Sequence, residues 1–239
     1  MKKVLLIVAC LFIASTVVAQ NTVLDIEASG TKIKDKRYIP DFDKIKVTGP
    51  FEVTLGTSDK NLIIEGSDNI VALITTEVKD GQLVIAFKDA LTFKPSKNNK
   101  ITIRVSFNTL NEISLYGSGS VNSNKKVTNA VKVKLNGSGS IALNLYCPKA
   151  EAILVGCGTI TVKGYSQTFN CKLTGSGSVA ALELESDIVD AYLSGSGVVK
   201  VLSNKAITGR INGSGTIAFS GEPQGQDLKR IGSGKFSSL

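Results

Sequence analysis

The chain has 239 residues, a formal net charge of +8 and no histidine. Without histidine, Ser-His-Asp and Cys-His nucleophile systems and histidine-ligated metals are excluded. A chain of this length can bury a sizeable core without disulfide staples.

A secretory signal peptide is predicted over residues 1–19. Lys2 and Lys3 precede an apolar run from Val4 to about Ile13, and smaller residues follow up to Ala19. This order is typical of secretory cleavage after Ala19, and the run is shorter than a membrane-spanning helix requires. An alternative interpretation makes Cys10 the acylated cysteine of a lipoprotein. We therefore expect an extracytoplasmic chain, in the periplasm, on the outer-membrane surface or secreted, with no transmembrane span after cleavage.

Loss of Lys2 and Lys3 lowers the net charge to 8 − 2 = +6. The remaining lysines form solvated faces or attract anionic glycans and lipid headgroups. Nucleic acid is not an expected partner, because export separates the chain from it and few aromatic residues interleave with the charges.

Residues 20–37 are predicted to form an N-terminal extension, and residues 38–110 a β region that contains a first coil and a cap. Apolar residues alternate on both sides of Gly49 and predict the first coil: Ile45 and Val47, then Val53 and Leu55. Further strands are expected at residues 62–65, 70–78, 83–87 and 101–107. Asp80 and Gly81 between two apolar runs predict a hairpin. We expect this block to pair antiparallel and to cover the open first coil.

A Gly-Ser-Gly triplet recurs through residues 111–239 at spacings of 20, 19, 19, 20, 18 and 19 residues, with Gly-Cys-Gly as its third copy. The first glycines of the triplets are Gly117, Gly137, Gly156, Gly175, Gly195, Gly213 and Gly232. A fixed period near twenty residues is typical of stacked coils that bury their apolar faces against one another.

Apolar residues alternate with polar ones before each triplet, which indicates a half-buried strand that ends at the glycine. The position two residues before the first glycine reads Leu115, Leu135, Leu154, Leu173, Leu193 and Ile211. An apolar residue four positions after that glycine predicts a second strand. The chain is thus predicted to be all-β: a parallel β-solenoid of about 19 residues per coil, with an N-terminal antiparallel β cap. The usual handedness of parallel crossovers favours a right-handed coil.

The triplet glycines are predicted to be structural, because a sharp corner requires positive φ or close backbone approach. The serines between them should stack as a hydroxyl ladder: Ser118, Ser138, Ser176, Ser196 and Ser214. This ladder either binds a ligand or satisfies the backbone groups of the corner. Cys147, Cys157 and Cys171 fall in different columns of the stack, so we expect no disulfide among them.

Two segments and the triplet series together resemble the head GIN domain family, described as "putative auto-transporter adhesins" and common in Bacteroidetes. The segments are Phe42–Gly49, which reads FDKIKVTG, and Val78–Ile85, which reads VKDGQLVI. The resemblance extends over about Tyr38 to Ser220. It implies a β-helix-like fold and an extracytoplasmic role, and it carries over no catalytic residues.

These features predict a cell-envelope binding or adhesion module that is not an enzyme and has no cofactor or metal. Its expected partners are surface glycans, anionic envelope polymers or another surface protein, with Tyr116, Tyr146, Tyr165 and Tyr192 as candidates for sugar stacking or for packing. The alternatives are a passive structural protein and a β-helix polysaccharide lyase or hydrolase. Carboxylate catalysis needs convergent acids. Glu183 and Glu185 are expected to share a strand face, yet neither has an acidic partner one coil away.

Overall fold

A computed structural model of the chain describes residues 26–57, 61–88 and 100–239. The predicted signal peptide, its cleavage site near Ala19 and the alternative lipoprotein residue Cys10 lie outside these ranges. No helix within them has the length and apolar character needed to cross a membrane.

The described strands belong to a single sheet. The N-terminal elements are β1 (Lys32–Arg37), β2 (Lys44–Thr48), β3 (Glu52–Leu55), β4 (Leu62–Ser67), α1 (Asp68–Val71), β5 (Ile74–Lys79), β6 (Gln82–Phe87) and β7 (Thr102–Val105). The strands of the repeat region are β8 (Glu112–Gly117), β9 (Ser120–Ser123), β10 (Val131–Gly137), β11 (Ser140–Gly156), β12 (Thr159–Gly175), β13 (Ser178–Ala181), β14 (Leu184–Gly195), β15 (Val198–Leu202), β16 (Ala206–Gly213), β17 (Thr216–Ser220), β18 (Gly225–Ile231) and β19 (Lys235–Ser238).

The repeat region is a parallel β-solenoid, which confirms the predicted fold. Each coil pairs in parallel with the next, and the triplets lie in register, so that Gly137 is opposite both Gly117 and Gly156. The predicted leucine ladder points inward, and its members are at most 3% exposed. Burial of this continuous apolar column against neighbouring coils is the main favourable term in the stack.

Four parts recur in each coil, and we name them by their order in the chain. A leading strand ends at the corner, which is the Gly-Ser-Gly triplet, and a trailing strand follows it. The return bend then carries the chain to the next leading strand. In β11 and β12 the return bend lies inside one long strand, so that residues 140–147 trail one corner while residues 150–156 lead to the next.

The N-terminal region inverts the chain order of its coils. β2 and β3 form a coil whose strands pair in parallel with β8 and β9 on one side. On the other side β2 and β3 pair in parallel with β6 and β7, which come later in the chain. The antiparallel pairs lie further out, where β5 joins β6 and β4 joins β7 and β1.

The expected antiparallel cap therefore exists, but it does not lie directly on the first coil. An additional parallel layer, β6 with β7, separates the two. The repeat pattern of the sequence does not reveal this layer, because its two strands are separated by a long connection and lack the Gly-Ser-Gly corner. β1, from the segment expected to be an extension, forms the outermost strand of the cap beside β4.

Two local predictions in the cap had opposite outcomes. The hairpin is confirmed, since Asp80 and Gly81 connect β5 to β6 with φ of 51° and 72°. The strand expected over residues 70–78 was wrong in its first part, where α1 occupies Asp68–Val71 and β5 begins only at Ile74. Ile70 and Val71 are buried in the helix, and a short apolar run does not distinguish a helix from a strand.

Candidate functional site

The corner is built on glycines with positive φ. The first glycines of all seven triplets have φ between 106° and 134°. At Gly175 a β-carbon would also lie 2.5 Å from the carbonyl oxygen of Gly156 in the preceding coil. Both the backbone conformation and the tight stacking thus require glycine at this position.

The polar backbone groups of the corner bond to one another from coil to coil. The carbonyl oxygen of Gly156 accepts hydrogen bonds from the backbone N–H groups of Ser176 (3.2 Å) and Gly177 (3.0 Å). The carbonyls of Gly117, Gly137, Gly175 and Gly195 accept equivalent pairs. The corner therefore does not need serine hydroxyls to satisfy its backbone.

The corner serines point to the surface. Ser118, Ser138, Ser176, Ser196 and Ser214 are all exposed. The Ser233 hydroxyl donates to the Ser214 hydroxyl at 3.0 Å. Among the described residues, the hydroxyls of Ser118, Ser138, Ser176 and Ser196 have no hydrogen-bond partner, so they remain available to a ligand.

A second hydroxyl column, which the sequence analysis missed, follows the corner. Three residues after each first glycine stand Ser120, Ser140, Thr159, Ser178, Val198, Thr216 and Lys235. Strand pairing aligns these residues directly above one another. The signal was present in the sequence, as a small hydroxyl residue at a fixed offset from most of the triplets.

The two hydroxyl columns border a groove over the coils nearest the cap, from Pro50 to Thr159. Its floor is the buried second glycine of each triplet, such as Gly119 and Gly139. Near the cap the groove has a volume of about 460 Å³, and Pro50, Glu52 and Lys100 line its end. Lys100 Nζ lies 2.7 Å from Glu52 Oε1. This part of the groove therefore has walls of neutral hydroxyl groups and one compensated ion pair.

Other serines are buried at the return bends. Ser166, Ser186 and Ser203 are fully buried. Ser166 donates its hydroxyl proton to the Thr168 carbonyl (2.8 Å) and Ser203 to that of Ala206 (2.7 Å). These side chains perform the backbone role that the sequence analysis considered for the corner serines.

The three cysteines of the repeat region are not bonded to one another. Cys147 lies opposite Ser166 at a return bend, Cys157 is exposed at its corner, and Cys171 fills an inward slot. Burial raises the pKa of Cys171 to about 12, with a smaller contribution from the Asp190 carboxylate, and burial also raises the pKa of Cys147. The two buried thiols therefore stay protonated at neutral pH and are poor nucleophiles.

The outward residues of the leading strands form a charged surface, the leading face. Basic and acidic coils alternate there, and the charged residues from β2 to β18 are Lys44 and Lys46, Glu112, Lys132 and Lys134, Glu151, Lys172, Asp190, Arg210, and Asp227 with Lys229. Lys134 Nζ lies 2.8 Å from Glu112 and Lys132 Nζ lies 3.1 Å from Glu151. Partners within the face thus neutralise much of its positive charge.

The tyrosines lie in two environments. Tyr116 and Tyr192 are on the leading face beneath the ammonium groups of Lys46 and Lys172, which lie 5.2 Å and 5.6 Å from the ring centroids. Tyr146 and Tyr165 contact each other at a return bend, with ring centroids 5.7 Å apart and ring planes tilted by 45°, and Tyr146 is 59% exposed.

The acids considered for catalysis do not converge. Glu183 lies in the turn before β14, so it does not share a strand face with Glu185, which corrects the sequence expectation. Glu185 is opposite Tyr165, because the turn inserts a residue and shifts the expected register. Within the described ranges, no group of three or more His, Cys, Asp or Glu side chains could hold a metal ion.

The stacked coils, the glycine corner and the hydroxyl columns define the class of protein as a parallel β-solenoid of the kind seen in adhesin-like structures. The chain belongs to the family described as "Putative auto-transporter adhesin, head GIN domain", whose model matches residues 41–223. This confirms the resemblance found in the sequence. Comparison with curated protein sequences yields no match.

Solved structures of Bacteroidetes proteins share the fold. A putative adhesin from Bacteroides fragilis is 28% identical with a TM-score of 0.82, over 90% of this chain and 100% of the other. A putative lipid binding protein from Parabacteroides distasonis is 22% identical, with a TM-score of 0.73 over 90% and 99% of the two chains. A putative adhesin from Parabacteroides merdae is 20% identical, with a TM-score of 0.71 over the same shares.

Proposed function

We propose that the protein is an exported, non-catalytic binding module of the cell envelope that holds extended, uncharged glycans along the corner groove. The observation that carries this proposal is the pair of aligned hydroxyl columns on either side of the buried glycines. The corner serines are exposed, and the corner backbone does not use their hydroxyl groups. They can therefore exchange hydrogen bonds with sugar hydroxyls.

The spacing of the columns suits a polymer better than a small molecule. Adjacent coils are about 4.8 Å apart, so the hydroxyl-bearing coils offer similar groups to successive units of a chain laid along the stack. Cys157 interrupts the corner column, and Val198 and Lys235 interrupt the second column. A single set binds weakly, in the millimolar range at best, but several sets in series give useful avidity.

Charge compensation supports a neutral ligand over an anionic one. Lys100 is paired with Glu52 at the end of the groove, and the leading-face lysines 132 and 134 are paired with acids. Binding through the groove should therefore change little as salt rises. Binding of an anionic polymer through unpaired lysines should weaken steeply, because salt screens exposed charges beyond about 8 Å at physiological ionic strength.

A glycan array probed with the purified protein tests the proposal. The groove variant combines Ser118→Ala, Ser138→Ala and Ser140→Ala. The matched control combines Thr174→Ala, Ser194→Ala and Thr208→Ala, which also remove three hydroxyls, all from the leading face. We expect retention on at least one neutral glycan, a drop of about tenfold or more in the groove variant, and no change in the control.

Three results would contradict the proposal. Absence of retention on all glycans at low salt would favour a passive structural protein. Retention that the groove variant leaves intact would place the binding surface elsewhere. Reproducible cleavage of a polysaccharide, lost on substitution of Glu183 or Glu185, would favour the enzyme alternative.

A further inference from the structure

The two ends of the solenoid are finished differently. At the N-terminal end, β4 pairs with β7 and β5 pairs with β6, and α1 packs against β4 and β1. At the other end, β18 pairs with β16 and β19 pairs with β17, and no ladder joins either of them to another described strand. Ile231 at the end of β18 is 75% exposed. An edge of this kind presents unpaired N–H and C=O groups to any chain that can add a strand.

The hydrogen bonds between β18 and β16 show which backbone N–H and C=O groups of β18 are unpaired. The Gly225 N–H donates to the Lys205 carbonyl in the preceding coil at 3.2 Å. Successive residues of a parallel strand bond to opposite sides, so the odd-numbered residues of β18 face β16. The backbone groups of Gln226, Leu228 and Arg230 therefore face outward from the stack.

The sequence of β18, GQDLKRI, is self-complementary in one antiparallel register. A two-fold axis at Leu228 places Gln226 opposite Arg230 of the partner subunit, and all three outward residues then form hydrogen-bonded pairs. The same register places Asp227 opposite the partner's Lys229, as a non-hydrogen-bonded pair with the side chains close together. Both side chains are exposed, at 52% and 73%. Within one chain the Asp227 carboxylate also pairs with Arg210 of β16 and lies 3.7 Å from Lys229 Nζ, so the partner's Lys229 would join an existing cluster of charges.

We propose that β18 pairs antiparallel with β18 of a second copy of this chain, so that two solenoids join end to end about Leu228. The occupant is a second copy because one register satisfies two conditions. The outward backbone groups of both strands face each other, and Asp227 lies opposite the partner's Lys229. Two edge strands whose only charged residues are lysine and arginine repel each other. Asp227 makes this edge self-complementary, because it lies opposite the partner's Lys229. A head-to-tail arrangement would instead join β18 to an unrelated strand of the cap.

Sedimentation equilibrium of the purified protein, with charge reversals, tests this proposal. We expect the wild-type protein to reach twice the monomer mass as concentration rises. Asp227→Lys or Lys229→Asp alone places like charges opposite each other twice, and should raise the dimer dissociation constant about tenfold or more. The double variant Asp227→Lys with Lys229→Asp restores complementarity and should recover the dimer. Lys235→Asp is the control for Lys229→Asp, with the same charge change in the same coil but on β19.

A second variant separates pairing from folding. Gln226→Pro removes an outward N–H and no bond to β16, so it should weaken the dimer while the midpoint of thermal unfolding stays unchanged. A wild-type protein that remains monomeric at all concentrations would overturn the proposal. So would a dimer that both single reversals leave intact, or larger head-to-tail assemblies.

Discussion

The corner and the return bend of each coil satisfy their backbone polar groups in different ways. At the corner, glycine carbonyls accept the N–H groups of the next coil, and the serine hydroxyls remain at the surface. At the return bend, buried serines such as Ser166 donate to carbonyls of their own coil. Serine is thus structural at the return bend, where it is buried, and free for other contacts at the corner, where it is exposed.

The bends also differ in how much variation they accept. The register is constant across each corner, where the triplets align glycine to glycine and the strands on both sides keep the same offset. The spacing changes at the returns, since Gly164 is opposite Leu184, 20 residues later, whereas Ile188 is opposite Ala206, 18 residues later. A corner fixed by positive φ cannot absorb an extra residue, but a return bend can.

The largest expected difference in stability is between two variants in one coil, one in the leucine ladder and one at the corner. Leu173→Asp places an unpaired carboxylate in the core and should cost more than about 4 kcal/mol of unfolding free energy. Ser176→Ala trims an exposed hydroxyl and should stay within about 0.5 kcal/mol. Chemical denaturation of both variants measures the difference. Equal shifts would mean that the inward and outward positions are wrongly assigned.

The corner glycine should give the next largest effect. Gly175→Ala adds a β-carbon at φ of 124°, against the carbonyl oxygen of Gly156, and should cost roughly 3 kcal/mol from strain and clash. Gly30→Ala is the control, because Gly30 also has positive φ but a β-carbon there meets nothing within 4 Å. Thermal unfolding of the pair separates tight stacking from φ strain. Similar losses of stability in both variants would mean that the close stacking of the coils contributes nothing to the requirement for glycine.

The two classes of serine should differ by a smaller amount. Ser166→Ala leaves the Thr168 carbonyl without its buried donor and should cost about 1–2 kcal/mol. Ser196→Ala should have almost no effect on the free energy of unfolding, since that hydroxyl is exposed. Urea denaturation is the measurement, and a larger loss for Ser196→Ala would reverse the assignment of the two bends.

The smallest effect concerns pH and the leading face. Burial raises the pKa of Glu112, but hydrogen bonds from Lys134 and Ser114 outweigh it and hold the pKa below its ordinary value of 4.5. The carboxylate is thus favoured in the folded chain, and its contribution is present above about pH 4.5 and lost as pH falls through the lower folded pKa. Glu112→Gln should cost less than about 1 kcal/mol near neutral pH and nothing in acid. Stability curves that stay parallel from pH 7 to pH 3 would contradict this.

The sequence predicts the repeat region well because its rules are local. The alternation around each triplet determines which residues face the core, and the period determines which residues align. The cap was harder to predict from the sequence. The parallel pairing of β6 with β2 depends on contacts between segments that lie outside the Gly-Ser-Gly repeat. The buried role of Ser166 was also out of reach, because the alternation of a strand does not reveal which hydroxyls a return bend encloses. The second hydroxyl column at Ser140 and Thr159, by contrast, was visible at a constant offset.

The alternation of basic and acidic coils on the leading face constrains how a gene for such a solenoid can lengthen. Duplication of a single coil would bring two basic or two acidic rows side by side, as if a second copy of Lys132 and Lys134 lay next to the first, and like charges opposite each other destabilise a sheet. Duplication of an adjacent pair of coils keeps each Lys or Arg row beside an acidic one. Insertions of two coils at a time therefore preserve this surface, whereas single-coil insertions require compensating substitutions.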